Sequence, residues 1–220
     1  MTATVVGDAA EGRPPQVLGA ILAGGSSSRM GTDKALVEID GKPMALHVAD
    51  AMRAGGCQEV VLVGADEATA RALEMNTVPD RWPGDGPLGG LASALGASPP
   101  AGLVVVAACD QPAVTGTLVQ ALVDAVLTDH RAIAATPRTP SGHRHPFPTA
   151  WRAAARPGIE VLLRAGRRRA DAGLYAVGVV AVPVEPAVIQ DLDTPADVAR
   201  WVDRDRSGDP GLPERDLPGS

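Results

Sequence analysis

A loop rich in small residues follows an apolar, strand-like run near the start of the chain, and it carries two cations. The run covers residues 17–22, and the loop after it includes Gly24, Gly25, Arg29 and Lys34. Glycines allow backbone N–H groups to approach a ligand closely, and the cations neutralise charge that the backbone cannot. The pattern matches neither the Walker P-loop nor the G-x-G-x-x-G dinucleotide motif. It favours phosphate contact by Arg29 and Lys34 over an ordinary strand–helix turn with solvated charges.

A carboxylate, Asp110, lies just after the clearest buried-strand pattern of the chain, residues 103–108. A carboxylate at such a strand end can hold a divalent cation that bridges phosphates, and Mg²⁺ is the ion expected for oxygen ligands. The same residue could instead form an Asx-turn with its own backbone before Pro112. The residue pattern alone leaves both interpretations open.

Two further carboxylates, Asp191 and Asp193, are spaced so that they face the same side of an extended segment. One of them could complete a metal site with Asp110, and we assign that role to Asp191. For Asp193, the favoured interpretation is local capping beside Thr194, where a helix is expected to begin.

Strand-like and helix-like segments alternate along the chain. Apolar β-branched runs predict strands, and spaced apolar residues with capping signals predict helices. Strands are expected over 17–22, 59–63, 103–108, 132–135 and 175–184, and helices over 44–54, 66–75, 91–95, 115–128, 159–165 and 195–202. Such alternation indicates an α/β fold, a single-domain three-layer α/β/α structure with a mostly parallel sheet. Ligands of such sheets bind at the carboxyl ends of the strands, where both the glycine-rich loop and Asp110 fall.

Length and composition set the domain boundaries. A chain of 220 residues with 45% hydrophobic content can bury one proper core. We expect residues 17–202 to form that domain. The two ends, 1–16 and 203–220, combine Gly, Pro and charge without periodicity and are expected to be disordered tails.

The charge balance and the cysteines exclude several function classes. A net charge of −6 without a basic stripe argues against nucleic-acid binding. No apolar run approaches the ~20 residues of a membrane span, and the N-terminus lacks the pattern of a signal peptide, so we expect a cytoplasmic protein without membrane contact. Cys57 and Cys109 have neither metal-ligand spacing nor a cationic neighbour that would activate a thiol for covalent catalysis.

A series of short motifs resembles the signature of MobA-type molybdenum cofactor guanylyltransferases. They occur in the family's order: Leu-Ala-Gly-Gly at 22–25, Ser-Arg-Met-Gly at 28–31, Asp-Lys-Ala-Leu at 33–36, Gly-Lys-Pro at 41–43, Gly-Pro-Leu-Gly-Gly-Leu at 86–91, Cys-Asp-Gln-Pro at 109–112, His-Pro at 145–146 and Asp-Thr-Pro-Ala-Asp at 193–197. The resemblance implies a Rossmann-like nucleotidyltransferase fold. It also implies Mg²⁺-dependent transfer of GMP from GTP to the molybdenum-molybdopterin cofactor, with release of pyrophosphate, and a molybdoenzyme or its chaperone as protein partner.

The same resemblance implies roles for particular residues. Arg29 and Lys34 are expected to bind the triphosphate and to act in catalysis together with Asp110, the expected metal ligand. Besides Lys34 and Asp110, the nucleotide is expected to meet five further residues: Leu22, Ala23, Gly24, Gly25 and Asp80. From the residues alone, Asp80 is more readily interpreted as a solvated loop acid.

Alternatives remain open for the residues that meet the acceptor substrate and for the nucleobase of the nucleotide. His145 and Arg168 are expected to meet the molybdopterin substrate, against the alternatives of a solvent-facing turn and a solvated cationic face. Gly24 leaves room for a purine and favours guanine. The Asp-Leu-Asp segment at 191–193 instead resembles related cytidylyltransferases, which use CTP. A third alternative is a noncatalytic nucleotide- or cofactor-binding protein of the same fold.

Overall fold

The computed structural model describes residues 15–24 and 33–207, with side chains as far as residue 203. Two of the expected site residues, Gly25 and Arg29, therefore lie outside the described residues. The same holds for positions 1–14 and 208–220, which make up most of the two expected tails.

A seven-stranded sheet forms the centre of the molecule. Its strands are β1 Val17–Leu22, β4 Glu59–Val63, β5 Thr77–Val78, β6 Leu103–Ala108, β7 Ala134–Arg138, β8 Thr149–Arg152 and β9 Val179–Pro183, while β2 Glu38–Ile39 and β3 Lys42–Pro43 form a separate two-stranded hairpin. The order is β5-β4-β1-β6-β8-β7-β9, and only β8 runs against its neighbours. The expected mostly parallel sheet is confirmed.

Two layers of helices cover the sheet. The helices are α1 Met44–Ala54, α2 Glu67–Ala72, α3 Gly86–Ala97, α4 Gly116–Thr128, α5 Arg156–Arg164, α6 Asp171–Tyr175 and α7 Pro195–Ser207. Buried residues of α1, α2 and α4 belong to one hydrophobic cluster, and those of α3, α5 and α6 belong to a second. This confirms the three-layer α/β/α structure. No helix within the described ranges has the length and apolar character needed to cross a membrane.

The strands supply both clusters because successive side chains point to opposite faces of a sheet. In β6, Val105 contributes to the cluster under α1, α2 and α4, whereas Val104 and Val106 contribute to the cluster under α3, α5 and α6. A strand buried on both faces has no polar side, which explains the continuous apolar run in the sequence.

Helix α7 extends past residue 202, the expected end of the domain. It continues through Ser207, and the expected domain and tail boundaries stay predictions. The helix is held by Trp201, whose side chain is 3% exposed and packs with Ile39, Met44 and Leu192. Its start is as expected, since the hydroxyl of Thr194 accepts a hydrogen bond from the amide of Asp197 at 3.2 Å.

Several elements differ from the sequence-based expectations, among them α3, α6 and β8. Helix α3 covers twelve residues instead of 91–95, because Pro87 is compatible with a first turn and the turn packs on Leu22. Tyr175 ends the short helix α6 instead of beginning a strand. Strand β8 was not predicted.

The carboxyl ends of six strands lie at one edge of the sheet, because those strands run in the same direction. Strand β8 runs the other way, so its first residue, Thr149, pairs with Val106 near the end of β6. Residues 145–148, which lead into β8, therefore approach the same edge. This edge holds the candidate site.

Candidate active site

The ammonium group of Lys34 joins two distant parts of the chain. Lys34 begins a 3-10 turn, Lys34–Leu36, directly after the glycine-rich loop. Its Nζ atom lies 2.9 Å from Oδ2 of Asp110 and 2.7 Å from Oδ1 of Asp193. The side chains of Lys34 and Asp110 are 17% and 15% exposed, whereas that of Asp193 is 63% exposed. One of the two ion pairs is thus sheltered and the other reaches solvent.

The segment around residue 192 is anchored to the end of β6. The amide of Leu192 donates a hydrogen bond to the backbone oxygen of Asp110 at 2.9 Å, and the Leu192 side chain is fully buried. Neighbouring residues of an extended segment point in opposite directions, so burial of Leu192 leaves Asp191 and Asp193 on the outer side, as their spacing predicted. The carboxylate of Asp193, expected to cap α7, instead binds Lys34.

The site carries more negative than positive charge among its described residues. Burial alone would lower the pKa of Lys34, but hydrogen bonds to Asp193 and Asp110 outweigh it and raise the pKa above its usual value. Partial desolvation of the carboxyl group by the surrounding protein and the charge of Asp110 raise the pKa of Asp191 to about 6. Three carboxylates around one ammonium suit a further cation.

A preformed metal cage of three or more His, Cys, Asp or Glu side chains does not occur among the residues that the structure describes. Mg²⁺ does not require one, because it commonly binds one or two carboxylates and completes its shell with phosphates and water. The carboxylates of Asp110 and Asp191 are donors of the type that this ion prefers, so the residues present fit it.

The end of β1 lies close against the end of β4. The amides of Ala23 and Gly24 both donate to the backbone oxygen of Val63, at 3.0 and 3.1 Å. A Cβ atom added to Gly24 would lie 3.2 Å from the Cα atom of Gly64, which itself has a φ of +76°. Two glycines therefore permit direct backbone contact between the strand ends. Leu22 packs under α3, where a Cβ atom on Gly90 would meet it at 3.0 Å.

Asp80 follows β5 and lies beside these glycines. A Cβ atom added to Gly64 would be 3.4 Å from the Cβ atom of Asp80. One carboxylate oxygen of Asp80 is 2.9 Å from the hydroxyl of Ser93 and 3.0 Å from the amide of Trp82. Asp80 is thus half-buried and tied to α3, and it is not the fully solvated loop acid that the residues alone favoured.

His145 lies in a different part of the same edge. It shares an open groove of about 510 Å³ with His143 and Glu185, among other residues. The two imidazole rings meet edge to face with centroids 4.5 Å apart. Partial burial and the charge of His143 lower the pKa of His145.

Arg168 borders the first turn of α3. Its Nε atom is 2.9 Å from a carboxylate oxygen of Asp85, and its Nη1 atom donates to the backbone oxygen of Leu163 at 3.0 Å. The backbone oxygen of Arg168 accepts a hydrogen bond from the amide of Leu88 at 3.1 Å. These contacts place Arg168 next to the first turn of α3.

The site contains partnerships that the sequence did not indicate. Asp193 is 159 residues from Lys34, and no local pattern links the two. The carboxylate of Asp33 caps the turn that carries Lys34 and also binds the hydroxyl of Thr69 in α2. Asp33 and Lys34 belong to a recognisable sequence motif, but no sequence pattern indicated a role for Thr69.

Comparisons with known proteins identify the family of the chain. A model of the MobA-like NTP transferase domain matches residues 19–177. A molybdenum cofactor guanylyltransferase of Rhodobacter capsulatus is 34% identical over 203 residues, which cover 89% of this chain and all of that protein. A probable molybdenum cofactor guanylyltransferase of Deinococcus radiodurans is 34% identical over 181 residues, 82% of this chain and 91% of that protein.

A solved structure gives the same result for the fold. The crystal structure of molybdopterin-guanine dinucleotide biosynthesis protein A from Archaeoglobus fulgidus superposes with a TM-score of 0.70 at 25% identity. The match covers 86% of this chain and 99% of that one.

Proposed function

The chain belongs to the MobA-like NTP transferase family, and we propose that it transfers GMP from GTP to the molybdenum-molybdopterin cofactor and releases pyrophosphate. Nucleotidyl transfer in molybdenum cofactor biosynthesis is what the matched family and the names of the relatives support. The observation that carries the proposal is the position of Lys34, which meets Asp110 and Asp193 at the carboxyl edge of the sheet.

Lys34 would bind the triphosphate by exchanging one carboxylate for phosphate oxygens. Asp193 is the partner that can leave, because its exposed carboxylate is solvated readily and its ion pair is weakened by solvent. Asp110 is sheltered and holds the ammonium group of Lys34 in place. Lys34 can then neutralise charge that develops on the phosphates without a large movement.

The acceptor needs little help from a general base. The terminal phosphate of molybdopterin is anionic near neutral pH, so it can attack the α-phosphorus of GTP in line and displace pyrophosphate. Catalysis then consists mainly of alignment and charge neutralisation. Arg29 is assigned the same role as Lys34 from the sequence, and it lies outside the described residues.

We assign Mg²⁺ to the carboxylates of Asp110 and Asp191. The ion would neutralise the phosphates of the nucleotide when bound there. The support is the donor type, the surplus of carboxylates around Lys34, and the position of both aspartates at the strand ends where such ligands bind.

For the base, we propose guanine. Because the amides of Ala23 and Gly24 are bound to the backbone oxygen of Val63, we assign the carbonyl oxygens of these two residues to the N–H donors of the base. The carboxylate of Asp80, beside Gly64, could accept a second N–H. Guanine presents two adjacent donors, N1–H and the 2-amino group. The names of the relatives support the same choice, whereas the Asp-Leu-Asp segment at 191–193 supports CTP.

For the acceptor, we propose the groove that contains His145, which opens at the same edge of the sheet as Lys34. Arg168 is assigned to the acceptor from the resemblance, and its contacts with Asp85 and α3 support instead a role in shaping the site. A cytoplasmic location and delivery of the product to a molybdoenzyme or its chaperone remain predictions. The two free, buried cysteines agree with a reducing compartment.

The test is turnover of the purified protein with molybdenum-molybdopterin and each of the four nucleoside triphosphates, with Mg²⁺ and then with a chelator. We expect pyrophosphate release and a guanine dinucleotide product, identified by mass, only with GTP and Mg²⁺. Lys34→Ala should lower kcat by about 10²–10³-fold, the usual effect of removing one group that stabilises transition-state charge.

Lys42→Ala is the matched control, because Lys42 pairs with Asp50 on the hairpin side of α1. It should keep near-normal turnover. A preference for CTP would replace the guanine assignment by the cytidylyltransferase alternative. Nucleotide binding without pyrophosphate release would identify a noncatalytic binding protein.

A further inference from the structure

The turn that carries Lys34 is tied to a helix on the face of the sheet. Asp33 directly precedes this turn, and its two carboxylate oxygens have different partners. Oδ1 accepts a hydrogen bond from the amide of Ala35 at 3.0 Å, which caps the turn. Oδ2 accepts a hydrogen bond from the hydroxyl of Thr69 at 2.8 Å. The carboxylate thus links the turn to α2.

Thr69 is itself held rigidly. Its side chain is only 4% exposed. Its amide donates to Oδ1 of Asp66 at 2.8 Å, which caps the start of α2. The hydroxyl also interacts with the carboxylate of Asp66. A threonine in a helix has only two favoured χ1 rotamers, and the one present directs the hydroxyl toward Asp33.

Once Asp33 is fixed, the backbone of the turn has little conformational freedom. The amides of Leu36 and Val37 donate to the backbone oxygens of Asp33 and Lys34 at 3.0 and 3.2 Å, and Ala35 is completely buried. The backbone position of Lys34 is therefore set by the residue that Thr69 binds. The long lysine side chain needs such a fixed backbone position, because holding the side chain in one conformation costs rotamer entropy.

We propose that Thr69 is a positioning residue, which acts through Asp33 to hold the ammonium group of Lys34 at the nucleotide site. The importance of Thr69 for catalysis rests on the proposed function. Its effect on the position of Lys34 does not. Without the hydroxyl, Oδ2 of Asp33 loses its partner in a half-buried place and the cap on the turn loosens.

The first experiment measures turnover of three variants. Thr69→Val replaces the hydroxyl by a methyl group of similar size and should lower kcat/KM for GTP by about ten- to a hundredfold, since a hydrogen bond to a charged group has been removed. Thr69→Ser keeps a hydroxyl and should restore most of the activity. Thr77→Val is the matched control and should leave turnover unchanged. Within the described part of the chain, the Thr77 hydroxyl donates only to the backbone oxygen of Ala65, at 3.2 Å.

The second experiment does not depend on activity. Lys34 and Lys42 are the only lysines of the chain, so labelling by an amine-reactive ester can be followed at each by peptide mass. In Thr69→Val, labelling of Lys34 relative to Lys42 should rise several-fold, because the ion pairs of Lys34 are opened more often. Thr69→Ser and Thr77→Val should show the wild-type ratio. A general loss of stability would raise the labelling of Lys34 and Lys42 together.

The outcomes separate this inference from the proposed function. An unchanged Lys34 to Lys42 ratio in folded Thr69→Val overturns the inference, whether or not the enzyme is active. Equal increases in the labelling of Lys34 and Lys42 overturn the inference as well. A raised Lys34 to Lys42 labelling ratio with full turnover of Thr69→Val also overturns it. Absence of turnover in the wild type overturns the proposed function and leaves the labelling result to decide the role of Thr69. If Thr69→Val does not fold, Thr69→Ala provides the same comparison.

Discussion

Replacing Gly24 with alanine should alter both stability and base selection. The added Cβ atom would lie 3.2 Å from the Cα atom and 3.3 Å from the backbone oxygen of Gly64. Both are backbone atoms at the end of β4, so they cannot rotate away, and the two strand ends must separate by a few tenths of an ångström. Overpacking costs about 1–3 kcal/mol, and the small displacement places Gly24→Ala near the lower end. A loss of about 1 kcal/mol lowers Tm by about 2–4 °C in a domain of this size.

The functional effect follows from the same displacement. Moving the end of β1 relative to β4 changes the distance between the backbone of residues 23–24 and Asp80, which is packed on Gly64. If these groups read guanine together, we expect the ratio of kcat/KM for GTP to that for CTP to fall by about tenfold, equivalent to about 1.4 kcal/mol. The assays are chemical denaturation and turnover with each nucleotide in excess acceptor.

The control is another glycine-to-alanine change, in an open place. A Cβ atom on Gly158 in α5 would meet nothing within 4 Å. Gly158→Ala should therefore raise the free energy of unfolding by about 0.5–1 kcal/mol through its helix propensity, with the nucleotide ratio unchanged. The reasoning is refuted if Gly24→Ala keeps wild-type stability, or if it keeps the GTP to CTP ratio despite the lost stability.

Two further predictions concern the core. Gly55→Ala should lower the free energy of unfolding by about 3 kcal/mol in denaturant titrations, because its Cβ atom would lie only 2.4 Å from that of Val119 in α4; wild-type stability would contradict the packing of α1 on α4. Burial raises the pKa of Cys57 and Cys109 to about 12, so both thiols should resist Ellman's reagent in the native state and react after unfolding. Because the folded pKa exceeds the unfolded value, their contribution to stability is intact below about pH 9 and is lost as pH rises toward 12; fast native labelling would refute the burial.

Much of the fold was predictable because local and global preferences agree. The runs at 59–63 and 103–108 are compact and rich in β-branched residues, and both strands have the expected bounds. Helix α1 begins and ends as expected, since Gly55 and Gly56 stop it. Strand β8 was not predictable in this way. It has four residues, Thr149–Arg152, and its stability comes from pairing with β7 and with β6, which is distant in sequence.

The first turn of α3 shows a second limit. Its glycines and proline have the composition of a loop, so the helix was expected to begin later. Close packing decides the matter, because Gly89 and Gly90 have no room for a side chain against Trp82 and Leu22. The amide of Leu88 also donates a hydrogen bond to the backbone oxygen of Arg168. These contacts depend on tertiary structure and override the low intrinsic helix propensity of glycine.

The site was predictable to the extent that topology alone determines it. Lys34 and Asp110 both follow strands whose carboxyl ends share an edge, and the structure brings their charged groups to 2.9 Å. The part played by Asp193 could not be predicted, because an Asp before Thr-Pro is also a normal helix-capping sequence. Burial of Leu192 decides between the two roles, since it turns Asp193 outward to Lys34, while Asp197 forms the hydrogen bonds with Thr194.

The unequal exposure of the two partners of Lys34 links this structure to turnover. An ammonium held only by buried carboxylates would be costly to redirect toward a nucleotide, because breaking a buried ion pair leaves an unpaired charge. An ammonium held only by exposed carboxylates would be poorly positioned, since surface ion pairs contribute little. Lys34 has one partner of each kind, at 15% and 63% exposure. It is therefore held in place by Asp110 and exchangeable at Asp193, which is the combination that the proposed binding and release of a triphosphate would require.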